Sequence, residues 1–172
     1  MRNHLDRNAR LFVCLLVGIS CSVGLFPARA LAADEPATDR VDVVRVQQIV
    51  DDLKGQLAIP QTVSVSLVDR NPLMVSVGPV PGGGFALSFE ADFAARLTDD
   101  ELTAAVAHEL GHVWIYTHFP FLQTEQLANE IAMRVVSRES LVPVYAQMFE
   151  RTRVSGDHLN EYLGAPRSAT DH

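Results

Sequence analysis

Thr98-Asp99-Asp100-Glu101-Leu102, followed in the same run by His108-Glu109-Leu110-Gly111-His112, governs how this chain is read. The first part is a capping box: Thr98 precedes a helix that starts at Asp99, and Glu101 sits where its side chain can reach back to the cap. The second part spaces two imidazoles four residues apart. On a helix they lie about 40° apart around the axis and one turn apart along it. Both can then bind one tetrahedral metal, at about 2.0–2.1 Å for zinc. Glu109 stands about 60° round from His112, near enough to serve a water on the metal and too far round to join the ligands. Two ligands, an open position and a base are the layout of a hydrolytic zinc site.

The competing reading is two surface histidines and a solvated glutamate on an ordinary helix. The flanking residues weigh against it, because they belong to a buried helix. Leu102, Val106, Leu110, Val113 and Thr117 recur at core spacing, with His108 and His112 on another face, which is expected to open on a cleft. Pro120 stops the helix.

Periodicity outlines the rest. Val41 to Leu57 reads as a helix with Asp39 as its cap, and Ile59-Pro60 ends it. Thr62 to Asp69 alternates as a half-buried strand, Leu73 to Val77 is a second, and Phe85, Leu87 and Phe89 mark a third. Gly82-Gly83-Gly84 precedes a strand rather than a helix, so it is a turn and not a phosphate cradle. A short helix covers Asp92 to Leu97, and two more follow the histidine helix, at Thr124 to Ser137 and Leu141 to Arg153. The fold class is α+β: an N-terminal helix, a three-stranded, mostly antiparallel sheet, the histidine helix and two further helices.

The ends of the chain read differently. Arg2, Arg7 and Arg10 precede an uncharged apolar run, Leu11 to Phe26, and Ala30-Leu31-Ala32 is a small-x-small cleavage site. Residues 1–32 are expected to be a secretory signal, cut after Ala32, which places the protein in the periplasm or outside the cell. An uncleaved anchor is the alternative, although the run is short for a spanning helix. Residues 33–40 form a linker, 41–163 the domain and 164–172 a loose tail. Four of 14 basic and one of 21 acidic residues precede residue 33, which leaves 10 against 20 and a net charge of −10. That balance, without a basic cluster, argues against nucleic acid and anionic lipid as partners. Cys14 and Cys21 both leave with the signal, so the mature chain has neither disulfide nor thiolate ligand.

A catalytic zinc site usually has three protein ligands. Glu125 opens the helix after the histidines, with Ala128 and Ala132 on its face to permit close packing. One turn on, Asn129 is placed to accept a hydrogen bond from a ligand histidine. Glu130 lies about 140° from Glu125 and reads as solvated. His118 stands at the spacing of a longer three-histidine motif, but that motif needs glycine at the turn where this chain has Ile115. Glu125 is the favoured third ligand, with His118 and Glu130 as alternatives.

The run from Gly83-Gly84-Phe85-Ala86-Leu87-Ser88-Phe89, through Leu97-Thr98-Asp99-Asp100-Glu101-Leu102, to Ala107-His108-Glu109-Leu110-Gly111-His112-Val113 resembles the core of the M48-type zinc metallopeptidases, a gluzincin family. Glu125-Gln126-Leu127-Ala128-Asn129 resembles the family's third-ligand motif, Glu-x-x-Ala-Asp. The resemblance spans Pro81 to Val136 and departs in three respects. Asn129 replaces the family's aspartate, only 12 residues separate His112 from Glu125, and no long transmembrane helices or repeat domains accompany the core. It implies a small zincin-like domain with zinc on His108, His112 and Glu125 and with Glu109 as general base. It further implies a polypeptide substrate paired along an edge strand at Phe85–Phe89, and His158 assisting the oxyanion. The expected activity is a zinc endopeptidase acting on exported or envelope proteins. The rival is a proteolytically silent, zinc-stabilised periplasmic module that binds peptides or assists assembly.

Overall fold

A computed structural model of the chain describes residues 42–118, 120–153 and 156–164. The signal, the linker and the tail beyond Gly164 lie outside them. Among the described residues no helix is long and apolar enough to cross a membrane.

Helix α1 spans Val43–Gln56 and buries Val46, Val50 and Leu53. Its cap is Asp42, three residues past the Asp39 expected, and Asp42 Oδ1 accepts from the Arg45 N–H at 2.7 Å. Strands β1 (Val63–Val68), β2 (Val75–Pro79) and β3 (Phe85–Glu90) follow. The short α2 (Ala91–Ala94) leads into α3 (Asp99–Thr117), where the capping box forms as read: the Glu101 N–H donates to Thr98, and the Thr98 N–H to Glu101. Helices α4 (Glu125–Ala132), α5 (Arg138–Thr152) and α6 (Leu159–Leu163) complete the α+β domain, with a 3₁₀ turn at Gly156–His158 before α6.

The sheet corrects two expectations. Its order is β1-β3-β2, with β1 parallel and β2 antiparallel to β3, so it is mixed rather than mostly antiparallel. Strand β2 does run back antiparallel to β1, but not beside it, because β3 inserts between them. Phe85, Leu87 and Phe89 share one face of this central strand and are each 5 % exposed or less, so β3 lies over the middle of the core. Consequently β3 is no edge and cannot receive a peptide strand, as the Phe85–Phe89 reading required. The edges are β1 and β2.

Two local devices hold this order. Gly84 has φ +86° and passes so close to β1 that a Cβ there would stand 2.8 Å from the Thr62 carbonyl oxygen, which accepts from the Phe85 N–H. Asn71, between β1 and β2, gives its N–H to Glu90 and its side-chain amide to the Ser88 carbonyl and the Ser76 hydroxyl, pinning the crossover to the end of β3. The outer edge of β1 is itself occupied: Gln47 of α1 donates to the Val63 carbonyl and accepts from the Val65 N–H, each at 3.0 Å.

Helix α4 stops five residues short of Ser137. Turn bonds close Arg134 to Val136 back onto Ile131 and Ala132, and Ser137 instead caps α5, which therefore starts at Arg138 rather than Leu141. Val135 and Val136 lose side-chain freedom in a helix and favour the break.

Glu90, buried at the end of β3, is paired with Arg151 of α5, and its Oε2 stands 2.9 Å from Nη2. Arg151 foremost, then the Asn71 N–H, hold the carboxyl below its usual pKa against the opposing effect of burial. A depressed folded value stabilises fully above the unfolded glutamate pKa of about 4.3 and is lost as pH falls through the lower folded value. Urea midpoints of wild type and Glu90→Gln should therefore differ most above about pH 5 and converge on acidification; a gap independent of pH would contradict this role.

Candidate metal centre

Helix α3 is buried more completely than its apolar stripe suggests. Leu102, Val106, Leu110 and Val113 enter the core as read, but Ala104, Ala105, Ala107, His108, Glu109 and Gly111 are buried as well. The middle of the helix has no solvated face. The expected division into a core face and a separate histidine face is thus replaced by a central helix. Alanines and glycine make this possible, because small side chains admit neighbours on every side.

The closest neighbour is α4. A Cβ on Gly111 would lie 2.3 Å from the Ala128 carbonyl oxygen, so the two backbones touch where the helices cross. Thr124 caps α4 by accepting from the Leu127 N–H, and the first helical residue, Glu125, faces the histidines. His108 Nε2 lies 3.3 Å from Glu125 Oε2, His112 Nε2 lies 3.6 Å from Glu125 Oε1, and the two Nε2 atoms are 3.2 Å apart. Atoms bound at about 2.0–2.1 Å to one tetrahedral centre are separated by about 3.3–3.4 Å, so these spacings fit a shared cation. His108, His112 and Glu125 form a group that can hold a metal ion.

Electrostatics follow from this convergence. Burial lowers the pKa of His112, but Glu125 and Glu109 more than offset it, and the imidazole is raised to about 9. Burial opposes ionisation of Glu125, yet hydrogen bonds to His108 and His112 hold its carboxyl far below the usual range. Imidazole and carboxylate thus each favour the charged form of the other, and metal binding at these groups would compete with protons. Glu109 is 6 % exposed. Burial raises its pKa and Glu125 adds to the rise, whereas the histidines and the Val77 N–H of β2 pull it down.

Each histidine is held from behind. Asn129 Oδ1 is 2.9 Å from His108 Nδ1, the contact anticipated for this residue. Gln123 was not anticipated: its Oε1 lies 3.1 Å from His112 Nδ1, and its Nε2 donates to the His112 carbonyl at 3.1 Å. It precedes the α4 cap in a segment without periodicity, so no pattern marks it. Tyr145 of α5 was also missed; its hydroxyl, kept protonated chiefly by burial, lies 3.4 Å from His108 Nδ1.

The other candidates are placed elsewhere. His118 caps the end of α3, its Nδ1 2.7 Å from the Trp114 carbonyl and its ring stacked on Trp114 at 3.9 Å. Glu130 is exposed and accepts from Gln126 at 3.0 Å. His158 is exposed on the 3₁₀ turn and paired with Glu161 at 2.9 Å; no described contact joins it to the three ligand atoms.

No family model, characterised protein or solved structure matches this chain.

Three substitutions check the centre. Glu125→Ala should weaken divalent-metal binding strongly while His118→Ala leaves it unchanged, as metal content after dialysis would report; the reverse pattern would refute the ligand set. Gly111→Ala should cost about 1–3 kcal/mol of stability through overpacking and also weaken metal binding, because the backbones it separates carry all three ligands.

Proposed function

We propose that the protein is an exported zinc-dependent endopeptidase. One observation carries the reading: two imidazoles and a carboxylate converge, with their ligand atoms all within 4.8 Å of one another, beside a buried glutamate on the residue after the first histidine. An N,N,O donor set at tetrahedral spacing suits zinc. When bound there, zinc lowers the pKa of a bound water towards about 7 and polarises a carbonyl.

The chain's own residues supply the remainder. His108 and His112 present Nε2 to the metal, and their Nδ1 atoms are held by Asn129 and Gln123. Glu109 takes the proton of the attacking water and returns it to the leaving amine. Burial raises its pKa, which makes it a stronger proton acceptor than a solvated glutamate. A peptide substrate would pair with β2 rather than β3. Because the Met74 carbonyl accepts from the Glu90 N–H, alternate residues of β2 face β3 while Val75 and Val77 turn outward; the Val75 N–H donates to the Leu73 carbonyl and the Val77 N–H to Glu109, so their carbonyls are the groups left for a peptide. The signal-like amino terminus supports export.

Glu109→Gln tests the mechanism. Turnover of a peptide library should fall about 10²–10⁴-fold with zinc content unchanged, and wild-type turnover in the variant would refute the role. Stoichiometric zinc in a wild-type protein that cleaves nothing would favour the silent binding module, for which His108→Ala would reduce stability and Glu109→Gln would change nothing.

A further inference from the structure

The donor and acceptor chain behind His108 has a fixed direction, and it begins in α6. The Tyr162 carbonyl can only accept. It lies 3.0 Å from Asn129 Nδ2, which uses its second hydrogen on the Tyr145 hydroxyl at 2.7 Å. That orients the amide and leaves Oδ1 towards His108, so His108 Nδ1 must carry the hydrogen. The Nε2 lone pair is then free to face Glu125 and His112. Asn129 is 0 % exposed, so no solvent can replace a lost partner. Gln123 orients His112 by the same logic but takes its bearing from the carbonyl of His112 itself, and needs no distant segment.

Helix α6 has five residues, too few to be stable alone. It is held by packing: Leu163 is buried, the Tyr162 ring meets Tyr145 at 5.4 Å and Phe149 at 5.6 Å, and Arg138 donates to the Asn160 side chain and the Gly164 carbonyl. We propose that α6 is an arm of the metal centre: its docking orients Asn129, Asn129 selects the metal-binding form of His108, and docking and metal binding are thermodynamically coupled. A carboxylate at position 129 would set an acceptor oxygen against the Tyr162 carbonyl, which accounts for an amide there. Tyr162 acts through its main chain and Asn129 through His108, so both are positioning residues. Coupling is reciprocal: undocking α6 weakens the metal by the factor with which the metal tightens α6, about 10–100-fold for a contact of this kind.

The inference rests on the metal-site reading, and the test separates the two. In the full-length protein, amide hydrogen exchange of residues 159–163 and the zinc dissociation constant, by chelator competition, are measured for wild type, Asn129→Ala, Leu163→Ala and Val50→Ala. Zinc should slow α6 exchange in wild type. Leu163→Ala should speed that exchange and weaken zinc about tenfold or more, and in Asn129→Ala α6 exchange should cease to respond to zinc. Val50→Ala, in the α1 core, should lose stability but keep the wild-type zinc constant. If wild type binds zinc and α6 exchange does not change, or if Leu163→Ala frees α6 at unaltered zinc affinity, the coupling is refuted and the metal site stands. If wild type binds no zinc, both are refuted.

Discussion

The contact between Gly111 and the Ala128 backbone is the constraint on which the rest of the centre depends. Two helices that touch at their main chains lie closer than side chains at the crossing would permit. Because α3 carries both histidines and α4 starts with Glu125, that distance decides whether three ligand atoms can meet. It also sets Asn129, one turn beyond Glu125, behind His108. Twelve residues between His112 and Glu125 suffice because the connection only has to turn back on itself, and Gln123 fastens it to the helix it has just left.

Burial of α3 shapes the chemistry as well as the packing. A helix surrounded by sheet and helices keeps its polar groups only where each has a partner. His108, Glu109 and Asn129 meet that condition through one another and through groups on β2, α4, α5 and α6. The two amides hold the imidazoles without adding charge. The ionisable balance is left to two histidines and two glutamates, a set that a divalent cation neutralises.

Local signals in the sequence were legible and long-range ones were not. The capping box at Thr98, the paired imidazoles, the small face of α4 and the carboxylate that opens it all follow from spacings within one helix, and the structure places them together. Strand existence was legible at Val63, Val75 and Phe85, but strand order was not. Alternation specifies which face is buried and leaves the neighbour unstated, so nothing in it opposed the edge that the family resemblance implied for β3. The full burial of α3 was hidden because alanine and glycine give no apolar stripe. Tyr145 and Tyr162 of α6 reach the centre from 16 and 33 residues beyond Asn129, through hydrogen bonds that no periodicity encodes.

The Gln47 contact bears on how molecules of this protein meet one another. An amide side chain that takes one donor and one acceptor of β1 acts as a one-residue substitute strand and blocks the amino-terminal half of that edge. On β2 the outward N–H groups are engaged as well, Val75 with the Leu73 carbonyl and Val77 with Glu109, and Pro79 ends the row without one. A sheet with two open edges can add copies without limit. A sheet whose edges are interrupted in this way by its own chain offers no unbroken row of partners from which a fibre could grow.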